Sequence, residues 1–388
     1  MRLTYLFKEF FQSEKIGGVI LVISTIVSLV ISNSPLHELY TGFWHVAIGD
    51  FSVEHLINDG FMAIFFLLVG LELKREFYVG ELSSLKTATL PMFAALGGML
   101  VPAAIYLFFN NGLPSQSGAG IPMATDIAFS LGVLSLLGKR VPASLKIFLA
   151  ALAVVDDLGA IIVIALSYSK GISWDNLAIA FLIFGILLLF NKKKVNKLLP
   201  YLVGGIFMWY FILHSGIHAT ITGVLLAFTI PLGNDNRHSA ASRLQHFLHK
   251  PVSFVILPLF ALANTAIIIG DGWFSGLLQP ASLGIFFGLV LGKPLGIMLF
   301  SLAVVSLGLC RLPVDMKWKH IVGLGILAGI GFTMSIFITL LAFEDAAIIN
   351  VSKLTILFSS TIAGVVGFWW LKTVLKEKIS DTGLNIVE

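Results

Sequence analysis

Long apolar segments separated by short polar connections run through the whole chain. Each is close to the roughly 20 mostly apolar residues that a helix needs to cross a bilayer. They predict twelve transmembrane helices, at residues 16–33, 57–73, 88–109, 119–138, 142–168, 175–190, 198–213, 216–231, 252–270, 281–309, 320–343 and 351–371. No linker divides them. We therefore predict an all-α polytopic membrane protein that folds as a single domain, residues 1–388.

The fourth and eleventh spans are interrupted in a way that ordinary helices are not. Glycine or proline recurs in both, followed by a polar residue: Gly118, Gly120, Pro122, Thr125 and Asp126 in the fourth, and Gly323, Gly325, Gly329, Gly331 and Thr333 in the eleventh. Non-helical backbone at membrane depth is tolerated only where protein or a cavity satisfies it. Interrupted segments in corresponding positions of two halves indicate a transporter binding site. For Gly325 and Gly329, close helix packing is an equal alternative.

Two connections and one glycine stripe add detail to this outline. Residues 43–48 and 51–55 flank Gly49 and Asp50 and predict a small external β-hairpin. Residues 233–250 predict a basic cytoplasmic loop. In the tenth span, glycine recurs every fourth residue from Gly284 to Gly296, which indicates a packing face.

The basic residues give an independent test of the topology, because short cytoplasmic loops retain Lys and Arg. With twelve spans, 22 of the 25 basic residues fall on one side, and both termini are predicted to be cytoplasmic. The opposite loops hold only Lys170 and Lys353, and Lys293 lies inside the tenth span. The net charge of +4 is therefore a topology signal and does not indicate a nucleic-acid partner. The single cysteine, Cys310, cannot form an internal disulfide.

Asp156 and Asp157 lie side by side in the middle of the fifth span. On insertion scales, an ionised group at this depth costs roughly 2.5 to 3.5 kcal/mol, so such groups usually face a water-filled cavity and handle protons or cations. Neighbouring helical residues point about 100° apart, so one of the two can meet a cation while the other meets Lys293. Asp126 and Lys293 have an alternative role, in which they neutralise the partial charges at broken helix ends.

The remaining polar residues give weaker signals. Asp59 and Glu72 lie toward the two ends of the second span. His218 could sense pH, although a hydrogen-bonded interfacial histidine is the simpler interpretation. His246 and His249 fall in the predicted cytoplasmic loop, where no acid or cysteine completes a metal site.

Seven segments together resemble the NhaA-type sodium/proton antiporter family, essentially from end to end. They are FFLLVGLELKRE (65–76), IPMATDIAFSLGVL (121–134), LKIFLAALAVVDDLGAI (145–161), SGIHATITGV (215–224), LPLFALAN (257–264), GKPLGI (292–297) and GIGFTMSIFI (329–338). Members of that family are among the transporters in which interrupted spans are known to form the binding site.

The resemblance implies twelve helices in two inverted repeats, with the fourth and eleventh helices broken and crossing at mid-membrane. It implies electrogenic exchange of two protons for one Na⁺ or Li⁺, and a homodimer formed with help from the external hairpin. It assigns cation binding and proton exchange to Asp157, with Asp156 as its partner coupled to Lys293. Thr125 and Asp126 would shape the crossing, and Asp59 and Glu72 would serve entry or the pH response.

One residue departs from the family pattern. Gln245 stands beside His246 and His249, where the resemblance leads us to expect a carboxylate in a cytoplasmic pH-sensing cluster. The pH set point is therefore open, whereas every expected mid-membrane group is present.

The sequence thus predicts a secondary antiporter in the lipid bilayer of a bacterial inner membrane. It would expel Na⁺ or Li⁺ against inward H⁺, would be regulated by pH, and would be neither an enzyme nor dependent on a cofactor. An intramembrane aspartyl protease is an alternative, with Asp126 and Asp157 as its dyad, but the G-x-G-D sequence of that class is absent. A passive cation channel is a third interpretation.

Overall fold

The computed structural model describes residues 2–49, 51–167, 171–232, 239–270 and 273–375, and most of this part of the chain is helical. Seven of the described helices are long and apolar enough to cross a membrane. They are Val53–Tyr78, Thr87–Asn110, Ala143–Ala165, Trp174–Lys192, Ala240–Asn264, Pro280–Ser306 and Ala346–Val374. Two further pairs of helices are bent at a short break, and counting each pair as one span gives up to nine candidate spans in the described part of the chain.

The α-helices are numbered in chain order. They are α1 Arg2–Ser32, α2 His37–Trp44, α3 Val53–His55, α4 Met62–Tyr78, α5 Leu85–Asn110, α6 Ile127–Leu136, α7 Ala143–Ser167, α8 Trp174–Lys192, α9 Leu199–Leu213, α10 Ile221–Thr229, α11 Ala240–Pro251, α12 Leu257–Asn264, α13 Trp273–Leu277, α14 Pro280–Phe287, α15 Lys293–Ser306, α16 Trp318–Ala328, α17 Phe332–Ala342 and α18 Ala346–Val374. Short 3₁₀ segments occupy Glu81–Ser83, Pro114–Met123 and Gly138–Arg140.

Three π-helical turns join pairs of α-helices into continuous rods. Leu56–Phe61 joins α3 to α4, Val252–Ile256 joins α11 to α12, and Gly288–Gly292 joins α14 to α15. A π turn is rare and is frequent at functional sites. Each of these turns contains or directly precedes a polar residue inside a span, namely Asp59, Ser253 and Lys293.

The two bent spans break at short segments without helix. The 3₁₀ helix Pro114–Met123 and α6 meet at 41° across residues 124–126. The helices α16 and α17 meet at 47° across residues 329–331. Of the glycines in the eleventh span, Gly329 and Gly331 thus lie at the break, whereas Gly323 and Gly325 lie inside α16.

The glycine stripe of α14 and α15 packs against α5. A β-carbon placed at Gly292 would lie 2.9 Å from Cα of Pro102, and one at Gly296 would overlap the carbonyl oxygen of Gly97. Gly325 is similar, since a β-carbon there would lie 2.9 Å from Cα of Pro294. The geometry favours the packing interpretation for these glycines, because only a residue without a side chain allows such backbone approach.

Residues near the first external connection form a short antiparallel pair, β1 Ala47–Ile48 and β2 Phe51–Ser52, with Ile48 opposite Phe51. The strand that the sequence predicts from residue 43 begins later, because Trp44 ends α2. Trp44 lies one helical turn after Tyr40, contacts its ring edge to face at 5.6 Å, and is buried. Burial of that aromatic pair favours helix over strand. Asp50 lies outside the described residues.

The loop predicted for residues 233–250 is wrong in its second half, since residues 240–251 form α11. Ser239 caps the helix by accepting a hydrogen bond from the backbone N–H of Ser242. Ala241, Leu244 and Leu248 recur at helical spacing and are buried. His246 and His249 therefore lie on a helix that continues into the membrane, and residues 233–238 are outside the described part of the chain.

Packing of α15 on α5 gives a test of the fold. We expect Gly296→Ala to destabilise the protein by about 1–3 kcal/mol, because the added methyl group overlaps the backbone of Gly97. The thermal unfolding midpoint of the purified protein in detergent should fall. Gly185→Ala in α8 is the matched control, since nothing lies within 4 Å of a β-carbon there. Equal midpoints for both variants would contradict the packing argument.

Candidate functional site

The two breaks cross each other inside the protein. The backbone N–H of Asp126, at the first break, donates a hydrogen bond to the carbonyl oxygen of Ile330, at the second, over 2.7 Å. Because residues 124–126 and 329–331 are not helical, the crossing leaves four helix ends facing one another at membrane depth.

Side-chain hydroxyls reach the carbonyl ends of the broken helices. At the end of α16, Ser130 Oγ donates to Leu327 O over 3.0 Å, and Thr125 Oγ1 lies 2.9 Å from Ala328 O. Ser335 Oγ donates to Ile121 O over 2.7 Å. Each break thus supplies hydroxyls to the other, and these carbonyls are satisfied without water.

Asp126 accepts hydrogen bonds from backbone N–H groups at the amino ends of two helices. One carboxylate oxygen accepts from the backbone N–H of Phe129 over 2.9 Å, which caps α6. The other accepts from the backbone N–H and the hydroxyl of Thr333, over 3.1 Å and 2.5 Å, at the start of α17. A negative group at two helix N-termini compensates their partial positive charge.

The contacts of Lys293 differ from those expected if it neutralised the end of a broken helix. Its ammonium forms an ion pair with Asp156, and both side chains are fully buried. The ammonium also donates to Thr125 Oγ1 over 2.8 Å, and that hydroxyl lies 2.8 Å from Asp156 Oδ2. Lys293 therefore reaches the broken helix only through Thr125. The second oxygen of Asp156, Oδ1, has no hydrogen-bond partner among the described residues.

Asp157, the next residue of α7, faces a small cavity and is 1% exposed. The cavity measures about 40 Å³, and its polar lining is formed by Glu72, Asp126, Asp157, Ser253 and Thr333. A volume of this size is sufficient for a water molecule or a small cation. The Oδ1 atom of Asp157 also lacks a partner among the described residues.

The charges around Asp157 are mostly negative. Asp156, Asp126 and Glu72 repel its ionised form, and Lys293 alone attracts it. In a site of low dielectric, either a proton or a monovalent cation relieves this repulsion. Asp157 is thus the acid of α7 that lies among like charges, whereas Asp156 has a counter-charge.

Glu72 lines the cavity and lies near the carboxyl end of α4. The side chain of Gln245, which is buried on α11, forms a hydrogen bond with Glu72. His249 is half-buried and interacts electrostatically with Arg75, whereas His246 is exposed. Of the predicted pH-response residues, Glu72 is the one that lines the cavity. Gln245 does not line the cavity but contacts Glu72 directly.

Asp59 lies apart from this cavity. It is 13 residues before Glu72 on the same helical rod, which corresponds to about 20 Å at 1.5 Å per residue. Its Oδ2 atom is 3.1 Å from Nε2 of His55, and it interacts electrostatically with His218. The structure therefore separates Asp59 and His218 from Asp157.

Sequence reasoning missed three polar residues. His55 pairs with Asp59, and their i, i+4 spacing was a visible signal. Ser253 lines the cavity but stands out in no sequence pattern. Lys74, which topology alone explained, is buried, and its ammonium donates to the carbonyl oxygens of Phe228 and Ile230 over 2.9 Å and 2.5 Å.

Lys74 caps the carboxyl end of α10 at a helix pair in backbone contact. A β-carbon at Gly70 of α4 would lie 3.0 Å from Cα of Val224, and one at Gly223 of α10 would overlap the backbone of Ala63. A buried cation at a helix C-terminus satisfies its unpaired carbonyls and complements the helix dipole. The helices α4 and α10 are therefore joined along most of the length of α10.

A resident metal centre has no support in the described residues, where no group of three or more His, Cys, Asp or Glu side chains is arranged to hold a metal ion.

Comparisons with known proteins agree on one family. Residues 8–371 match the family model described as Na⁺/H⁺ antiporter 1. The chain is 61% identical to the Na(+)/H(+) antiporter NhaA of Flavobacterium psychrophilum, over 98% of this chain and 99% of that protein. It is 58% identical to the protein of the same name from Cytophaga hutchinsonii, over 98% of each.

A solved structure shares the fold at low sequence identity. The sodium proton antiporter MjNhaP1 from Methanocaldococcus jannaschii aligns with a TM-score of 0.56 and 13% identity, over 98% of this chain and all of that one. At this identity the likeness concerns the fold alone.

The ion pair of Asp156 and Lys293 gives a testable expectation. We expect Lys293→Met to lower the free energy of unfolding by about 3–5 kcal/mol, because it leaves a buried carboxylate without its counter-charge. The double variant Asp156→Asn with Lys293→Met should recover most of that loss, since both charges are gone. Thermal unfolding of the purified variants measures the cycle. A double variant as unstable as Lys293→Met would show that the pair is not the cause.

Proposed function

Since the chain belongs to the Na⁺/H⁺ antiporter 1 family, we propose that it exchanges the two cations at Asp157, the principal cation ligand and proton carrier. Exchange of sodium for protons across a membrane is the activity of this family, whose members are transporters and not enzymes. The observation that carries the assignment is the position of Asp157 in a cavity beside two other acids, with one carboxylate oxygen unpartnered among the described residues.

Competition for one site explains the exchange. Na⁺ and Li⁺ are hard cations that prefer oxygen ligands, as Ca²⁺ and Mg²⁺ do. A cation on the Asp157 carboxylate excludes the proton, and a proton on the carboxylate removes the charge that holds the cation. Loading from one side and release to the other then couples the two flows.

We assign Asp156 to support this exchange together with Lys293. In the two-proton stoichiometry, the second proton is carried by Asp157, Asp156 or the ion pair as a unit, and one net positive charge enters per cycle. The pairing of Lys293 with Asp156 supports the assignment, because the ammonium favours the ionised form of Asp156, whereas Asp157 lies among like charges. Thr125 and Asp126 shape the crossing on which both depend.

We further propose a twelve-helix architecture of two inverted repeats. The nine candidate spans, the shorter apolar helices Ile16–Ser32 and Leu199–Leu213, and the nine-residue helix Ile221–Thr229 would make up the twelve. The broken fourth and eleventh helices would cross at mid-membrane. Both termini would be cytoplasmic in a bacterial inner membrane, in contact with its lipids.

The external strands β1 and β2 would contribute to a homodimer. Ala47 and Ile48 of β1 are exposed, and an exposed strand edge is a template for pairing with a second chain. At the opposite face, Glu72, Gln245 and His249 would adjust the pH dependence of exchange, while Asp59 and His218 would act at the external entrance.

The protease alternative is wrong, because the relatives of this chain are antiporters. In the structure, Asp126 is held by Thr333 and Phe129 and does not form a dyad with Asp157 through any hydrogen bond among the described residues. A passive channel differs in one measurable property, since it would conduct a cation without obligatory proton movement.

Everted membrane vesicles with a proton gradient test the role of Asp157. Added Na⁺ should dissipate the gradient in vesicles with the unmodified protein, and Asp157→Asn should abolish that response, because the amide neither carries a proton nor neutralises the cation. Asp175→Asn is the matched control, since Asp175 is exposed at the start of α8. Full activity in Asp157→Asn would contradict the proposed exchange of Na⁺ and H⁺ at Asp157.

The same vesicles separate an antiporter from a channel. With the membrane potential clamped by valinomycin and K⁺, an antiporter still exchanges Na⁺ for H⁺. Sodium flux that continues without proton movement would identify a channel instead.

Gln245 provides a test of the pH response. We expect Gln245→Glu to shift the profile of activity against pH to higher pH, because a second carboxylate beside Glu72 makes protonation of the pair more favourable. Gln279→Glu is the control, since Gln279 is exposed before α14. An unchanged profile in Gln245→Glu would remove this residue from the pH-sensing cluster.

A further inference from the structure

We propose that Ser253 is a further ligand of the transported cation, and that its hydroxyl oxygen determines the affinity for Na⁺ on the path to Asp157. The inference rests on the proposed exchange at Asp157. It adds a neutral oxygen ligand to a site that otherwise consists of acids and one threonine.

The position of Ser253 in the cavity is the first argument. The side chain is 4% exposed, and it lines the same cavity as Glu72, Asp126 and Asp157. It comes from the rod of α11 and α12, whereas Asp157 comes from α7 and Asp126 from the crossing. Ser253 is therefore the polar lining residue that the rod of α11 and α12 contributes to the cavity.

The backbone at Ser253 is the second argument. Ser253 lies in the π turn Val252–Ile256, directly after Pro251. A proline within a helix removes one backbone hydrogen bond and disturbs the preceding turn. The other two π turns contain Asp59 or directly precede Lys293, and a π turn changes the direction in which its side chains point.

The surroundings hold the hydroxyl in place. Ser253 Oγ is 3.3 Å from Nδ1 of His249, one helical turn earlier. On the other side, Gly17 of α1 approaches so closely that a β-carbon at Gly17 would lie 3.1 Å from Cβ of Ser253. A β-carbon at Gly17 would require a shift of a few tenths of an ångström, so α1 packs closely on the serine side chain.

The chemistry fits a hard monovalent cation. A hydroxyl oxygen has two acceptor positions, and it keeps acceptor capacity when its hydrogen is donated to the histidine nitrogen. A small cation that loses its water on entering a cavity of about 40 Å³ needs replacement oxygen ligands. A neutral oxygen offers one without adding negative charge to a site already surrounded by acids.

Substitution of the hydroxyl tests this ligand role. Na⁺-dependent proton exchange is measured in vesicles at a fixed pH, and binding of Na⁺ alone to the purified protein is measured by calorimetry. Ser253→Ala should raise KM and Kd for Na⁺ about fivefold, the effect of losing one polar contact worth ~1 kcal/mol, with the maximal rate nearly unchanged. Ser253→Cys, which preserves packing but offers a soft sulfur, should behave like Ser253→Ala.

Ser301→Ala is the matched control. Ser301 is also fully buried, lies on α15 and does not line the cavity, so its KM should stay that of the unmodified protein. An unchanged KM in both Ser253 variants, or an equal rise in Ser301→Ala, would overturn the ligand role. Loss of exchange in the unmodified protein would instead overturn the proposed function, so the two failures are distinguishable.

Discussion

Backbone groups at a helix break inside a membrane have no water to bind, and this constraint governs the centre of the molecule. Two breaks leave carbonyl and amide groups that lipid cannot satisfy. The chain meets the constraint by crossing the breaks, so that Asp126 binds the amide ends while Ser130, Thr125 and Ser335 reach the carbonyl ends. A buried carboxylate is thus required by the backbone itself, before any transport is considered.

The unequal roles of Asp156 and Asp157 follow from that crossing. Thr125 is fixed by the break and presents its hydroxyl to both Asp156 and Lys293. This arrangement directs the ammonium to Asp156, and the 100° between neighbouring helical residues turns Asp157 toward the cavity. Adjacent residues of identical chemistry therefore differ in environment. One is neutralised by a counter-charge, and the other is left among like charges.

Sequence alone identified the groups that are expensive in a membrane, because cost is a property of composition and position. Asp126, Asp156, Asp157 and Lys293 stand out for that reason, and the structure brings them together. It could not identify Ser253, because a serine in an apolar helix is inexpensive and becomes distinctive only where a π turn and a cavity meet. The helix at residues 240–251 was hidden by its charged face, since its apolar positions are few and become informative only against α4.

The hairpin illustrates a different limit. Both β-strands are only two residues long. Trp44, three residues before β1, is the last residue of α2, in which its ring contacts that of Tyr40. Local alternation cannot decide between strand and helix when one aromatic pair changes the balance. In the same way, glycine spacing did not separate a break from a packing face, because Gly325 and Gly329 differ only in what they approach.

The join between α4 and α10 has a mechanical consequence. Surfaces in backbone contact at Gly70 and Gly223 cannot slide past each other, and sliding would also pull the Lys74 ammonium from its carbonyls. The helices α4 and α10 therefore form one rigid unit, which includes Glu72. Glu72 lines the cavity together with Asp157 of α7 and Asp126 at the break, so a movement of α4 that displaces Glu72 would carry α10 with it.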